Sequence, residues 1–254
     1  MIYIAFIILT LLVLIFVFYQ WQYFMIFSPT YYRKEPLCEF CSLLSMKTDD
    51  NVELEGAIYE PKDPKNTLLV FVGRSHDAVG LINSLAQCYS NSRIVTFNYR
   101  AYGKSEGVAS EKNFLEDGQK IAELVKKNYG EFYMLGFSIG TSVAAYAASK
   151  VEPKALFLLG AFDSIGSLAT IKYGFDFSFL LRYKFNTEDF VQKVEAPTYL
   201  FVSKADEIVY IQSARKLKEK ILNLVDYEEF EDLAHKELLF DMRIVKKIQE
   251  VLEC

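Results

Sequence analysis

The sequence is poor in histidine and cysteine, and its first part carries no charge. Two histidines and four cysteines occur in 254 residues, and no charged residue precedes Arg33. So few and scattered cysteines argue against a disulfide framework for a body of this size. The net charge of −5 makes nucleic acid an unexpected partner, because phosphate binding needs clustered Lys and Arg. Cys38 and Cys41 lack a second cysteine pair, so we interpret them as incidental thiols of a spacer and expect no metal site.

The uncharged start predicts a membrane anchor. Residues 2–19 read IYIAFIILTLLVLIFVFY, and only Thr10 interrupts the apolar run. At 1.5 Å per residue this run nearly crosses a hydrocarbon core of roughly 30 Å. A cleaved signal peptide would have a positive start, a shorter apolar stretch and small residues before the cut, none of which is present. We therefore predict an anchor and interfacial segment over residues 1–27 and a connector over residues 28–45.

The orientation of the anchor rests on two basic residues. Arg33 and Lys34 follow the apolar run, and the amino side offers only the terminal amine. The positive-inside bias then predicts a single-pass protein of an inner or cytoplasmic membrane, with its body in the cytoplasm.

Residues 46–254 alternate β-rich apolar runs with amphipathic stretches, which is typical of a single α/β domain with a mostly parallel sheet. Runs such as TLLVFV and ALFLL suit strands that helices cover on both faces. The predicted strands are 55–59, 67–72, 93–97, 132–136, 155–159, 198–202 and 226–230. The predicted helices are 79–89, 111–128, 139–150, 211–224 and 237–252.

A Gly-x-Ser-x-Gly motif, GFSIG, is centred on Ser138. The motif alone occurs by chance in roughly one chain of this length in ten. Here a buried strand is predicted before it and a helix rich in small residues after it. A strand, a sharp turn and a helix together form a nucleophile elbow, which raises a serine hydroxyl above the edge of the sheet. We therefore predict that Ser138 is a nucleophile.

A serine hydroxyl needs a base, and the base needs an orienting carboxylate. His235 follows the last predicted strand and Asp206 follows the strand before it, so both belong to the same end of the sheet as Ser138. We predict these as base and acid. His76 is an alternative base, and Glu207 and Asp232 are alternative acids.

These residues, with VGR at 72–74, NYRAYGKSEG at 98–107 and DEIV at 206–209, resemble the α/β-hydrolase superfamily. The chain is most similar to members with a small lid and one N-terminal membrane anchor. The resemblance implies the α/β-hydrolase fold and an oxyanion hole made by the backbone N–H groups of Arg74 and Ile139. We expect Arg100 and Tyr102 to hold the loop by hydrogen bonds, with a direct role in binding substrate as the alternative.

Three positions depart from that family pattern. Val72 replaces a histidine, Asn98 an aspartate and Ala101 a glycine. The oxyanion donors are backbone groups, so these side chains need not abolish them.

A short cap is expected at about residues 162–190, where the sequence is dense in aromatics. We predict that cap aromatics form an apolar wall for an acyl chain. The predicted wall residues are Phe162, Tyr173, Phe175 and Phe179.

Together these features predict a membrane-anchored serine hydrolase of carboxylic esters or thioesters that needs no cofactor. Its expected partners are a small-molecule or lipid-like acyl ester and, through the N-terminal helix, the lipid bilayer. Two alternatives remain open. One is a serine peptidase or acyltransferase on the same fold, and the other is a catalytically silent scaffold at the membrane.

Overall fold

The computed structural model describes residues 2–33, 36–176 and 178–253. Helix α1 covers Ile2–Ile26 and is long and apolar enough to cross a membrane. It includes the predicted apolar run and continues about two turns beyond it, to Ile26. Residues 2–19 are largely exposed, whereas Gln22 is buried against the body. Lys34, one of the two residues behind the predicted orientation, lies outside the described residues.

The body is built on one eight-stranded sheet with the order β1-β2-β4-β3-β5-β6-β7-β8. Strands β1 and β2 run antiparallel to their neighbours, and the other neighbouring pairs are parallel. This confirms the predicted mostly parallel sheet, and all seven predicted strands are present. The strands are β1 Cys41–Lys47, β2 Glu53–Tyr59, β3 Asn66–Phe71, β4 Ser92–Phe97, β5 Tyr133–Phe137, β6 Leu156–Leu159, β7 Thr198–Ser203 and β8 Leu224–Phe230.

Helices flank this sheet in two layers. The α3 and α4 helices pack on each other, while Gln249 of α8 donates a hydrogen bond to the carbonyl of Cys88 in α2. Because parallel crossovers are right-handed, the reversal of strand order beside β3 places these two helix pairs on opposite faces. The helices are α2 Ile82–Cys88, α3 Glu111–Tyr129, α4 Ile139–Ala148, α5 Ile165–Tyr173, α6 Thr187–Val191, α7 Ile211–Lys218 and α8 Met242–Leu252.

Two of the predicted helices differ from the structure. The predicted helix 237–252 is a short 3-10 helix, His235–Leu239, followed by α8. The break occurs because Asp241 is the N-cap of α8 and accepts a hydrogen bond from the backbone N–H of Arg243. The other predicted helix, 211–224, ends six residues early at Lys218.

Strand β1 was not predicted, and it begins inside the segment predicted as a connector. It pairs with β2 along its whole length, from Cys41 opposite Tyr59 to Lys47 opposite Glu53. Its side chains are exposed or only partly buried. An edge strand of this kind needs no continuous apolar run, so the sequence pattern that revealed the other strands is missing.

The interpretation of Cys38 and Cys41 as incidental thiols is wrong, because the structure joins them in a disulfide. Asn83 accepts a hydrogen bond from the backbone N–H of Cys38 and donates one to the carbonyl of Pro36. The segment before β1 is therefore fixed to the body.

Between β6 and β7 the chain forms a cap. It contains α5, a 3-10 turn at Ser178–Leu180 and α6. Ser164 caps α5 by accepting a hydrogen bond from the N–H of Ser167, and Gly174 ends the helix in a left-handed conformation. Phe177, which also belongs to this segment, lies outside the described residues.

Candidate active site

Ser138 lies in the sharp turn between β5 and α4, with φ 56° and ψ −126°. This region of backbone space favours glycine, so the turn is strained. The two motif glycines permit it. A Cβ on Gly136 would lie 2.5 Å from the carbonyl oxygen of Gly140, and a Cβ on Gly140 would overlap the carbonyl of Phe71 in β3. The expected close approach of strand and helix is therefore present.

The structure brings Ser138, His235 and Asp206 together from three separate loops. The Nε2 of His235 lies 2.9 Å from the Oγ of Ser138, and its Nδ1 lies 2.6 Å from the Oδ2 of Asp206. All three residues are buried. The imidazole packs on the ring of Phe137, with centroids 5.1 Å apart. A hydroxyl, an imidazole and a carboxylate thus form one continuous hydrogen-bonded chain.

Both oxygens of the Asp206 carboxylate have partners. Oδ2 meets His235, and Oδ1 accepts hydrogen bonds of 2.8 Å from the backbone N–H groups of Ile208 and Val209. These bonds hold the carboxylate in one orientation.

The alternative acids are placed elsewhere. Asp232 pairs with Arg243 at the surface, and Glu207 lies on the wall of the neighbouring cavity. Among the described residues, Asp206 is the carboxylate that contacts His235.

Of the two predicted oxyanion donors, Ile139 follows Ser138 in the chain and Arg74 lines the same cavity as Ser138. Ile139 is the first residue of α4, where a backbone N–H has no acceptor within the helix. Arg74 belongs to the loop after β3, and the hydroxyl of Tyr102 donates a 2.7 Å hydrogen bond to its carbonyl. The hydroxyl of Tyr99 donates a second bond, of 2.9 Å, to the carbonyl of Val72. These tyrosines fix the loop that carries the Arg74 N–H.

The departures from the family pattern have structural roles. Asn98 donates to Glu55 and Asp77 and accepts from the backbone N–H of Ala78, which ties the loop after β3 to the sheet. Ala101 adopts φ 70°, a conformation that favours glycine. Arg100 pairs with Asp117 of α3 and with Asp50 in the turn between β1 and β2, which ties its own loop to these two segments.

His76 lines the same cavity as Ser138, but it is His235 that contacts the serine oxygen. The ring of His76 packs edge-on against Phe137, with centroids 5.7 Å apart. Burial lowers the pKa of His76, and the nearby His235 and Lys236 lower it further. The imidazole of His76 is therefore neutral, and the hydroxyl of Ser138 shares its hydrogen bond with His235 instead.

A cavity of about 540 Å³ opens beside Ser138 and His235. Its walls combine apolar side chains with the cations Arg74, Lys172 and Lys236. The remaining lining residues are Met25, Ile26, Gly73, Ser75, His76, Phe137, Ile165, Leu168, Ala169, Tyr173, Glu207, Ile208 and Tyr210. Within the described ranges, no group of three or more His, Cys, Asp or Glu is placed to hold a metal ion.

Of the four predicted wall residues, Tyr173 lines the cavity. Phe162 is instead buried in the core below it, and Phe175 and Phe179 are 70% and 78% exposed on the outside of the cap. Density of aromatics located the cap but did not reveal which way each ring points. The sequence analysis also did not predict that Met25 and Ile26 of α1 line the cavity, because no sequence pattern relates an N-terminal apolar helix to a pocket.

No protein-family model matches the sequence. The chain is similar to a lysophosphatidylserine lipase of Macaca fascicularis, ABHD12, with 30% identity over 145 residues, which are 49% of this chain and 36% of that protein. It is also similar to protein bem46 of Schizosaccharomyces pombe, with 26% identity over 181 residues, 65% of this chain and 60% of that protein. The chain thus spans less than two thirds of either relative.

Solved structures share the architecture. A Pyrococcus furiosus esterase, Pf2001, superposes with a TM-score of 0.67 over 89% of this chain and 95% of its own, at 18% identity. Similarity at this level of identity establishes the fold. Taken with the sheet order and the elbow, it shows that this chain has the α/β-hydrolase fold and carries an apolar N-terminal helix.

Proposed function

We propose that the protein is a membrane-anchored serine hydrolase that cleaves lipid-like carboxylic esters. The observation that carries this proposal is the hydrogen-bonded chain from Ser138 through His235 to Asp206, which opens into the 540 Å³ cavity. The similarity to a lysophosphatidylserine lipase in sequence and to an esterase in structure supports the same reaction class.

In the proposed mechanism, the Oγ of Ser138 attacks the ester carbonyl while its proton passes to the Nε2 of His235. The Nδ1–H of His235 donates to Asp206, which stabilises the imidazolium that forms. The N–H groups of Arg74 and Ile139 donate to the oxyanion. Each such donor contributes about 3 to 4 kcal/mol to transition-state stabilisation. His235 then protonates the leaving alcohol, and water cleaves the acyl-enzyme by the same steps.

The walls of the cavity favour an acyl lipid with an anionic group. Ile165, Leu168 and Tyr173 offer an apolar surface, while Lys172, Lys236 and Arg74 outnumber the one lining carboxylate, Glu207. The macaque relative is named for hydrolysis of a lysophospholipid that carries a phosphate and a carboxylate. A thioester would bind the same machinery, since the chemistry differs only in the leaving group.

Helix α1 would hold this site at a lipid surface as a single-pass anchor. Two features make opposite predictions about the side on which the body lies. The basic residues after α1 favour the cytoplasm of a cell with an inner or cytoplasmic membrane. The Cys38–Cys41 disulfide favours an oxidising compartment, because disulfides seldom persist in the cytosol. We give the disulfide more weight, since two charges are a small bias.

A fluorophosphonate probe tests the proposed nucleophile. The folded protein should be labelled, and Ser138→Ala should not. Asp206→Asn keeps the shape of the acid and should slow labelling by a large factor, about 10⁴ in a comparable triad. Equal labelling of wild type and Ser138→Ala would remove the proposal.

Turnover of different substrates distinguishes the alternatives. Preference for aminoacyl anilides over p-nitrophenyl esters would indicate a peptidase, and transfer to an added alcohol faster than hydrolysis would indicate an acyltransferase. A folded protein without labelling and without turnover would be a silent scaffold at the membrane.

A further inference from the structure

The anchor helix contributes to the same cavity as the candidate nucleophile. Met25 and Ile26, in the last turn of α1, line the cavity together with Ser138. Leu168 and Tyr173 of the cap helix α5 line the same cavity. We call these four residues the α1–cap wall. A helix that served only as a tether would not need to line the cavity.

Helix α1 is fixed against the cap rather than loosely attached. Gln22 is only 3% exposed, and it donates a 2.9 Å hydrogen bond to the carbonyl of Leu180 and accepts a 2.7 Å bond from the N–H of Arg182. The guanidinium of Arg182 also lies 5.1 Å from the centre of the Tyr19 ring. Gln22 thus uses both the NH2 group and the oxygen of its side-chain amide, and the Arg182 guanidinium adds a contact with Tyr19. They set the direction in which α1 leaves the cavity.

The end of α1 also enters the core. Phe27 is 1% exposed and makes edge-on contacts with Phe114 and Tyr183, with centroids 5.1 and 4.8 Å apart. The chain is therefore held both at Gln22 and at Phe27, on either side of the cavity-lining residues. The position of Met25 and Ile26 in the wall does not depend on the membrane.

The outer surface next to this wall is apolar. Phe175 and Phe179 on the cap are 70% and 78% exposed, and Trp21 and Phe24 on α1 are exposed as well. Aromatic side chains of this kind prefer the boundary between headgroups and hydrocarbon. Trp21 and Phe24 belong to α1, and the hydrogen bonds of Gln22 with Leu180 and Arg182 hold the cap beside the same helix. A bilayer is thus the occupant that would cover both the helix and the cap aromatics.

We propose that the substrate of the hydrolase proposed above is a lipid that enters the cavity sideways from the bilayer, with its acyl chain along the α1–cap wall. Trp21 is expected at the membrane interface, and Met25 lies one helical turn further along α1, at a distance of about 6 Å. A chain that moves this distance along α1 keeps apolar contacts throughout. A route through water would expose each methylene in turn, which the hydrophobic effect opposes. This inference depends on the proposed function and specifies how its substrate arrives.

Cross-linking in a bilayer tests the route directly. The full chain is reconstituted in phosphatidylcholine nanodiscs and labelled at Ser138 with a long-chain alkyl fluorophosphonate that carries a diazirine at the chain end. After irradiation, the cross-linked residues are located by mass spectrometry. We expect adducts on α1 between residues 16 and 26 and on the cap between residues 165 and 180. Adducts confined to body residues outside both segments would overturn the inference and leave the proposed function intact. Failure to label Ser138 would remove both.

A pair of substrates tests the contact of the cap with lipid. Phe175→Ser together with Phe179→Ser should lower hydrolysis of a long-chain ester embedded in phosphatidylcholine vesicles by about tenfold or more, because productive binding at the surface is lost. Hydrolysis of a water-soluble short-chain ester should change less than about twofold, which also shows that the variant is folded. The matched control is Leu222→Ser, an exposed apolar residue outside the cap, and it should leave both activities unchanged. Equal loss on both substrates, or no loss on vesicles, would contradict the proposed contact.

Discussion

The strained turn at Ser138 leads to a prediction about stability that can be tested without substrate. Ser138 adopts φ 56° and ψ −126°, where a side chain costs about 1 to 3 kcal/mol and glycine is not strained. Both Ser138→Ala and Ser138→Gly remove the 2.9 Å hydrogen bond to His235, so that loss cancels when the two variants are compared. The Ala variant keeps the Cβ and its strain, whereas the Gly variant releases it.

Glycine also gains freedom in the unfolded chain, which lowers stability by roughly 0.5 to 1 kcal/mol. The difference leaves Ser138→Gly more stable than Ser138→Ala by about 1 kcal/mol, or roughly 2 to 4 °C in melting temperature for a body of this size. Thermal unfolding of the two inactive variants in the same detergent measures it.

A matched pair within α4 provides the control. Ser142 has ordinary helical surroundings, and its hydroxyl pairs with Thr187. There Ser142→Gly should be less stable than Ser142→Ala by about 1 kcal/mol, the usual order in a helix. If the Gly variant were the less stable at both positions, the strain at Ser138 would be absent and the reasoning refuted.

Three further outcomes are expected. Tyr102→Phe removes the hydroxyl that donates to the carbonyl of Arg74, so the protein should lose about 1 to 3 kcal/mol of stability, and fluorophosphonate labelling should slow as the oxyanion loop loosens. Unchanged labelling would show that this bond does not position the loop. Burial lowers the pKa of His76 below its usual value near 6.5, so the folded state resists its protonation. The stability that a neutral His76 permits is complete above that ordinary pKa and is lost as pH falls toward the lowered one. Melting between about pH 7.5 and 5.5 should therefore fall less for His76→Gln than for wild type, and parallel curves would contradict this. The disulfide predicts that Cys38 and Cys41 resist a maleimide in unreduced membranes, and that a reporter phosphatase active only outside the cytoplasm works when fused to the carboxyl end. Free thiols with an inactive reporter would restore the cytoplasmic orientation.

Much of the fold followed from local sequence patterns. Continuous apolar runs indicated inner strands such as β3 and β6, because strands covered on both faces need apolar residues throughout. The glycines around Ser138 predicted the elbow, since steric limits at a sharp turn act within a few residues. Strand β1 was missed because an exposed edge strand is under no such requirement. The disulfide was missed because pairing depends on where Cys38 and Cys41 lie in space.

For the candidate site, sequence supplied the residue types and their order, and the tertiary structure supplied their distances. Order along the chain and position after a strand selected His235 and favoured Asp206, but left Glu207 and Asp232 open. Loop conformation decided among them, because only Asp206 turns its carboxylate toward the imidazole while Ile208 and Val209 hold its other oxygen.

The sequence by itself determined that this chain has an apolar N-terminal helix, a mostly parallel sheet and a serine on a sharp turn, because each depends on neighbouring residues. Only the tertiary structure decided that Met25 of α1 shares a cavity with Ser138, more than a hundred positions away, and that Tyr173 lines this cavity whereas Phe175 does not. Contacts between distant segments depend on how layers pack, and the direction of the Phe175 side chain depends on the left-handed turn at Gly174 that ends α5 before it. Composition carries neither kind of information.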